Sequence, residues 1–253
     1  VKTNHDKFSS RQVMWATGSS PAAWKLLEKM GHRIVPPVPS LFTFNIPDKR
    51  LKKLAGISVP AASVMIDEMR MEETGPLLIT HWGLSGPAIL KLSSRGARLL
   101  HSIQYQFDIL INWASIPEKE VEAWIEQNRQ QEGGKAVVNT VLEGIPKRLW
   151  SFLIDRSDIQ DKRWGDLTKY EMGSLVRELT ESKFKVNGKS TFKEEFVTAG
   201  GVDTIELNFT TMESRKFSGL YMAGEVLNID ALTGGFNFQA AWTEAWIAAH
   251  SMT

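Results

Sequence analysis

Glycines at the ends of predicted strands are the residues whose type and spacing suggest chemistry. One apolar run ends at Thr17-Gly18, a second over residues 220–225 ends at Gly224-Glu225, and Gly234-Gly235 precede an apolar stretch. Glycine lets backbone N–H groups approach a ligand closely, and a helix start offers unpaired N–H groups to an anion. Such glycines are also found in ordinary turns. Glu225 directly after a strand, followed shortly by a glycine-opened helix, favours a cofactor site.

Other kinds of chemistry have little support in the sequence. There are no cysteines, which excludes disulfides, thiol catalysis and Cys-ligated metals, and the five histidines are scattered without metal-ligand spacing. The phosphate-binding, zinc-protease and serine-hydrolase motifs are missing as well. His81 and Ser85 allow a base and a nucleophile, or a strand end and a helix cap. We expect no metal, and the catalytic residues stay unknown.

Composition narrows the class of protein. The 253 residues are 42% hydrophobic and 23% charged, typical of a soluble globular chain. The 30 basic and 29 acidic residues leave a net charge of +1, which predicts no nucleic-acid partner. No apolar run reaches the ~18 residues of a membrane span, so we expect no membrane partner. The polar start, VKTNHDKFSS, together with the missing cysteines, predicts a cytoplasmic protein, and the missing initiator Met predicts a fragment.

The first elements read as strand, turn and helix. The strand covers residues 11–18, and the helix has Ser20 as cap, Pro21 in its first turn and Gly31 as its stop. Three prolines among residues 36–39 then break the pattern and mark a domain boundary.

A β-rich part and a helical part follow. Residues 83–96 predict a helix capped by Ser85, and residues 104–113 predict a half-buried strand. That strand directs one face inward, with Tyr105, Phe107, Ile109, Ile111 and Trp113. The helical part has two capping-box patterns, Ser115 with Glu118 and Thr168 with Glu171. Two shorter helices are predicted near 135–143 and 146–154.

The chain then returns to α/β features. Strands are predicted over residues 190–202 and 220–225, and a helix over 234–250. Four tryptophans on apolar helical faces are assigned to the core: Trp24, Trp124, Trp242 and Trp246. The resulting fold is mixed α/β and α+β, with insertions between the two chain ends. The predicted domains are residues 1–37 and 203–253 at the ends, a β-rich insertion over 38–114 and 185–202, and a helical insertion over 115–184.

Four segments resemble one family. They are VMWATGSSP (13–21), GPLLITHWGLSGPAILKLS (75–93), FVTAGGV (196–202) and the long segment 211–246. The chain resembles the bacterial NAD(P)/FAD-dependent oxidoreductases of the BaiN and aminoacetone-oxidase type. The resemblance implies a glutathione-reductase-type FAD domain formed by both chain ends, with a β-barrel-like domain and a small helical domain inserted.

The resemblance also implies a site. Ala16, Thr17 and Gly18 would lie beside FAD, and Gly224 and Glu225 beside its ribityl chain and pyrophosphate. The flavin edge would be held by Gly234, Gly235, Asn237 and Gln239, where the helix start stabilises negative charge on the reduced ring. The substrate is an unknown small molecule, and NAD(P)H is a possible electron donor although no nicotinamide motif is visible.

One departure from the family pattern limits this expectation. The glycine-rich G-x-G-x-x-G loop that holds the ADP half of FAD is missing from the sequence. We therefore expect a truncated chain that binds FAD weakly or not at all and is inactive by itself. Two functions stay open, a piece of a flavin-dependent oxidoreductase and a non-catalytic substrate- or partner-binding module.

Overall fold

The computed structural model describes residues 5–190 and 197–252. The chain divides into two compact units. The terminal unit consists of residues 1–40 and 194–253, and the barrel unit consists of residues 41–193. Part of the strand predicted over 190–202, residues 191–196, lies outside the described residues.

Strands and helices alternate along the chain. The strands are β1 Val13–Trp15, β2 Ile34–Ser40, β3 Phe44–Asn45, β4 Ser58–Ile66, β5 Met71–Ile79, β6 Gly83–Ser85, β7 Gln106–Asn112, β8 Ser182–Asn187, β9 Val197–Val202, β10 Leu207–Asn208, β11 Glu213–Ser214 and β12 Leu220–Met222. The helices are α1 Pro21–Lys29, α2 Lys49–Lys52, α3 Pro87–Arg95, α4 Ala97–Ser102, α5 Glu118–Gln131, α6 Lys147–Arg156, α7 Lys169–Thr180 and α8 Phe236–Ser251.

The terminal unit joins the two ends of the chain through a four-stranded sheet of order β1-β12-β11-β10. β1 and β12 are parallel, and the remaining pairs are antiparallel. The core beneath this sheet includes Trp24 and Leu27 of α1, together with Met222 of β12. The predicted start of α1 is confirmed, because the Ser20 side chain accepts a hydrogen bond from Ala23 N–H and Pro21 occupies the first turn.

The proline-rich segment forms β2, which pairs with β9 alone among the described strands. A strand with one neighbour tolerates missing N–H donors, and the register shifts between Val35 and Val38, on either side of Pro36 and Pro37. The close approach of the two strands needs glycine in β9. A Cβ on Gly200, whose φ is +137°, would lie 2.5 Å from the Cα of Pro37.

The barrel unit contains a six-stranded antiparallel sheet of order β3-β6-β5-β4-β7-β8. Its outer strands approach each other, since Phe44 of β3 bridges to Lys189 just after β8, and the sheet is nearly closed. The alternation predicted for β7 is confirmed, with Phe107, Ile109 and Ile111 buried. The mixed fold with a barrel-like sheet and a helical part is therefore the predicted one.

The helices of the barrel unit bury large aromatic side chains. Trp124 of α5 makes edge-to-face contacts with Trp150 of α6 and with Trp164, at ring separations of 5.9 and 5.5 Å. The capping box of α7 is confirmed, because Thr168 and Glu171 exchange side-chain-to-backbone hydrogen bonds. None of the described helices is both long enough and apolar enough to cross a bilayer.

Several predicted local features are wrong. Ser85 lies in β6 rather than at a helix cap, and Gly86 with φ +96° precedes α3 in its place. Ser115 does not cap α5, because Pro117 occupies that position and Ser115 itself has φ +52°. The helix predicted near 135–143 is a single 3₁₀ turn over Val137–Asn139.

The segment over 185–202 also differs from its prediction as one return strand. β8 belongs to the barrel sheet, whereas β9 pairs with β2 in the terminal unit. β9 thus supplies the strand hydrogen bonds of the proline-rich β2, which has no other strand partner in the described part of the chain. The boundaries of the five predicted segments stay a prediction.

Candidate functional site

Two adjacent parallel strands bring the predicted glycine segments together in the terminal unit. The register pairs Trp15 of β1 with Met222 of β12, and Ala223 N–H donates to the Trp15 carbonyl over 3.2 Å. The residues that follow both strands therefore start from the same sheet edge. In parallel α/β sheets, ligands bind outside the carboxyl ends of the strands.

The loop after β1 leaves its backbone open. Ala16 and Thr17 are exposed, and the Thr17 hydroxyl accepts a hydrogen bond from Trp15 Nε1 at 3.1 Å. Gly18 has φ +63°, and a Cβ built on it would meet nothing within 4 Å. The chain can approach a ligand there without a side chain in the way.

The loop after β12 supplies a carboxylate. Glu225 is partly exposed, and its Oε1 accepts a hydrogen bond from Thr198 N–H at 3.3 Å. Within the described part of the chain, its Oε2 accepts no hydrogen bond. That oxygen can accept from a ligand hydroxyl, as the family resemblance implies.

Helix α8 begins beside an open glycine pair. Gly234 and Gly235 are exposed with φ values of +120° and +86°, and a Cβ on Gly235 would meet nothing within 4 Å. None of the described side chains caps this helix, and the first carbonyl to accept within it is that of Gly235, from Gln239 N–H at 3.0 Å. The N–H groups of its first turn can therefore bind an anionic group.

The two polar side chains predicted at the flavin edge have partners on the protein. The Asn237 amide binds the backbone of Ala231 twice, accepting from N–H at 2.8 Å and donating to the carbonyl at 3.0 Å. Gln239 is exposed and donates to Thr243 Oγ1 at 3.3 Å. Asn237 thus shapes the loop before α8.

Glu244 is a site residue that the sequence interpretation missed. Its Oε2 accepts a hydrogen bond from Gly224 N–H at 2.7 Å, which ties α8 to the loop after β12. The side chain is buried. Burial raises the pKa of the Glu244 carboxyl, and the bond from Gly224 offsets this only in part. The available signal was that Glu244 is the single carboxylate within α8.

A Ser–His–Glu arrangement in the same unit is structural. His32 lies 2.7 Å from Glu206 through Nδ1 and 3.4 Å from the Ser214 hydroxyl through Nε2. The hydroxyl also accepts from the N–H groups of Lys216 and Phe217, and the His32 side chain is fully buried. A substrate has no access to this histidine, so a hydrolytic role is not supported.

The structure does not bring together the other candidate catalytic residues, His81 and Ser85. In the barrel unit His81 is exposed and Ser85 lies in β6, and no hydrogen bond in the described part of the chain joins the two side chains. No group of three or more potential metal ligands occurs among residues 5–190 and 197–252. The expectation of a metal-free site stays a prediction.

The geometry fits part of a flavin nucleotide. Open glycine backbone follows both parallel strands and precedes α8, uncapped N–H groups suit an anion, and Glu225 offers an acceptor for a hydroxyl. The residues that would hold such a group are those predicted after the strands and at the helix start. Their assignment stays a prediction.

The fold matches a known class of protein. Residues 38–197 match the family described as "HI0933-like protein barrel and H2TH domain", and the chain belongs to this family. It is the flavoprotein family that the sequence resembles.

Individual relatives extend the match to nearly the whole chain. The chain is 34% identical over 93% of its length to the ribosomal RNA dihydrouridine synthase of Escherichia coli, and 32% identical over its full length to that of Haemophilus influenzae. It is 28% identical over 99% of its length to the 3-dehydro-bile acid delta(4,6)-reductase of Clostridium scindens. The chain spans 57%, 63% and 64% of these three relatives.

Proposed function

We propose that the chain is part of a flavin-dependent reductase that saturates a carbon–carbon double bond conjugated to a carbonyl group. The observation that carries the proposal is the edge where the loops after β1 and β12 lie side by side, with α8 bound to the second loop through Glu244. It is the part of the terminal unit that suits a nucleotide cofactor. FAD is the cofactor we propose for it.

The names of the relatives support this class of reaction. A dihydrouridine synthase reduces a uracil ring, and a delta(4,6)-reductase of a 3-dehydro-bile acid reduces ring double bonds. In both substrates the double bonds stand near a ring carbonyl group. The reaction adds a hydride to one carbon and a proton to the other, and the electron donor we propose is NAD(P)H.

The chain's own residues would bind and orient the cofactor. FAD, when bound and reduced by NAD(P)H, would supply the hydride. The backbone of Ala16, Thr17 and Gly18 would pack against it, and Glu225 would accept a hydrogen bond from one of its hydroxyls. The uncapped first turn of α8 would favour negative charge beside it.

Flavin titration of matched glycine variants tests the site. Gly235→Ala places a methyl group at the α8 start, and Gly31→Ala places one after α1. Both glycines have positive φ (+86° and +95°) and no neighbour within 4 Å of the added Cβ, so the local strain is similar. We expect Gly235→Ala to weaken FAD binding about tenfold or more, whereas Gly31→Ala leaves it unchanged, a difference of at least ~1.4 kcal/mol.

The readout is quenching of flavin fluorescence during titration, at protein concentrations that allow for weak binding. Equal affinities of the two variants would remove the α8 start from the site. A folded chain that quenches no flavin would favour the second function, a substrate- or partner-binding module. The missing G-x-G-x-x-G motif is the observation behind that alternative.

A further inference from the structure

A groove in the barrel unit collects basic side chains from three elements. Its volume is ≈560 Å³, and it lies between the start of α2, the end of α6 and β8. Five cationic side chains line it: Lys49, Arg50, Arg156, Lys183 and Lys185.

Some of these charges are balanced by carboxylates. Arg156 binds Glu178 through two nitrogens, at 2.6 and 3.1 Å, and Lys183 Nζ lies 2.8 Å from Asp108. Asp48 also lines the groove, where it caps α2 through the N–H groups of residues 50 and 51. Its carboxylate lies 3.5 Å from an Arg50 nitrogen.

Two lysines of the groove form no ion pair with a carboxylate of the described residues. Lys49 and Lys185 are exposed, and Asp108, which lies opposite Lys185 in the β7–β8 register, pairs with Lys183 instead. They stand on different elements, Lys49 on α2 and Lys185 on β8, so two separate points along the groove carry positive charge. An extended anion with spaced charges fits this arrangement better than a single small anion.

The basic surface continues beyond the groove. Arg148 Nη2 donates to the Lys53 carbonyl at 2.5 Å, which places the start of α6 beside the end of α2. Four further exposed cations lie on these elements or directly after α2: Lys52, Lys53, Lys147 and Arg148. Asp155 is the exposed carboxylate of α6. The ten residues of α6 span about 15 Å, long enough to follow several phosphates of one strand.

Charge is segregated within the barrel unit. Helix α5 has four glutamates, Glu118, Glu120, Glu122 and Glu126, against Lys119 and Arg129. The overall charge of +1 therefore conceals a basic surface and an acidic helix. The expectation of no nucleic-acid partner was based on the overall charge alone.

We propose that this groove binds the phosphate backbone of RNA. Exposed, spaced lysines are suited to phosphates, whereas protein interfaces are poor in lysine and rich in exposed aromatic residues. The aromatic residue of the groove, Phe184, is buried, with the Arg156 guanidinium 4.8 Å from its ring centre. As a statement about the substrate, the inference rests on the proposed function, and it identifies the double bond that is reduced as that of a uracil in RNA.

The test measures RNA binding by the full chain without flavin. The probe is a fluorescein-labelled single-stranded RNA oligonucleotide, followed by anisotropy over a series of salt concentrations. Lys49→Ala/Lys185→Ala removes the two groove lysines that form no ion pair with a described carboxylate. Lys119→Ala/Lys169→Ala removes two exposed lysines on α5 and α7 and is the matched control.

We expect the groove variant to lower the slope of log affinity against log salt by about 1.4, because each phosphate contact contributes about 0.7. If the two chains bind equally at 1 M salt, this difference in slope corresponds to about 25-fold weaker binding by the groove variant near 0.1 M. The control variant should match the unmodified chain. Circular dichroism would show that both variants are folded.

Three outcomes overturn the inference. One is an unmodified chain that does not bind the RNA at low salt, and another is a groove variant that binds like its control. The third is a chain that binds polyglutamate but not RNA, which points to an acidic protein partner. Because the assay contains no flavin, its failure is distinct from failure of the proposed reductase function.

Discussion

At the scale of single residues, Glu244 shows how the terminal unit positions its loops. The buried Glu244 carboxylate accepts a hydrogen bond from the backbone N–H of Gly224. Burial raises the pKa of this carboxyl above its usual range, and Gly224 offsets that only in part, so the ionised form is less favourable in the folded chain than in the unfolded one. The charge therefore costs stability, and this cost grows as pH rises through the unfolded and folded pKa values.

Glu244→Gln separates the charge from the hydrogen bond. The amide oxygen can still accept from Gly224, while the buried charge is gone. We expect the variant to be more stable than the unmodified chain at pH 7 by on the order of 1 kcal/mol, or roughly 2–4 °C in Tm. The difference should shrink as pH falls below the pKa of an ordinary glutamate.

Thermal unfolding of both chains from acid to neutral pH measures this. Glu225→Gln is the control, because that carboxylate is partly exposed and its hydrogen bond is longer, at 3.3 Å. We expect the Tm of this variant to match that of the unmodified chain. A Glu244→Gln chain that is less stable across the whole range would contradict the assigned cost of the charge.

At the scale of elements, two similar sequence patterns had different outcomes. Thr168 with Glu171 forms a capping box, whereas Ser115 with Glu118 does not. The difference lies in Pro117, which takes the capping position of α5, and in the left-handed backbone of Ser115. A pattern of two residue types does not specify the backbone angles that the cap requires.

The two sites predict different effects on stability when the hydroxyl is removed. Thr168→Ala loses the bond to Glu171 N–H and should lower the free energy of unfolding by about 1 kcal/mol. The Ser115 hydroxyl is buried without a hydrogen-bond partner among the described residues, so Ser115→Ala should be neutral or slightly stabilising. Urea unfolding of the two variants compares them. Equal losses would show that the Ser115 hydroxyl has a partner after all.

Helix α8 shows where sequence patterns stop being informative. Its glycine-opened start is as predicted, but Trp242 and Trp246, assigned to the core, are 67% and 63% exposed. Trp24, by contrast, is buried as predicted. Apolar residues occur on every face of α8 itself, so their spacing does not indicate which face packs against the rest of the unit. The single carboxylate, Glu244, marks the packed side in the structure.

At the scale of the whole molecule, the fold class and the glycine segments were predictable, but their meeting point was not. β1 and β12 are separated by most of the chain, and their pairing is set by contacts that local patterns do not contain. The basic groove was likewise not predictable from the net charge of the chain. The sum of +1 gave no sign of the cations gathered around the groove, because they come from three separate segments.

The barrel unit is one continuous segment, which makes its independence testable. Its ends meet in space, since Ser190 N–H donates to the Thr43 carbonyl at 3.2 Å and Asn45 N–H donates to the Gly188 carbonyl at 3.0 Å. It also has its own buried core, with Phe44, Leu84 and Trp113 among its fully buried residues. A continuous segment with neighbouring ends and its own core is expected to fold alone.

We therefore expect residues 41–193, expressed alone, to unfold cooperatively on heating and to bind little hydrophobic dye. The segment contains the whole basic groove, so its RNA affinity should depend on salt with the same slope as that of the full chain. Flavin binding should be lost, because Gly18, Gly224 and Gly235 all lie in the terminal unit. A non-cooperative, dye-binding segment would show that the barrel needs the terminal unit to fold. A folded segment with a smaller salt slope would show that the terminal unit supplies phosphate contacts of its own.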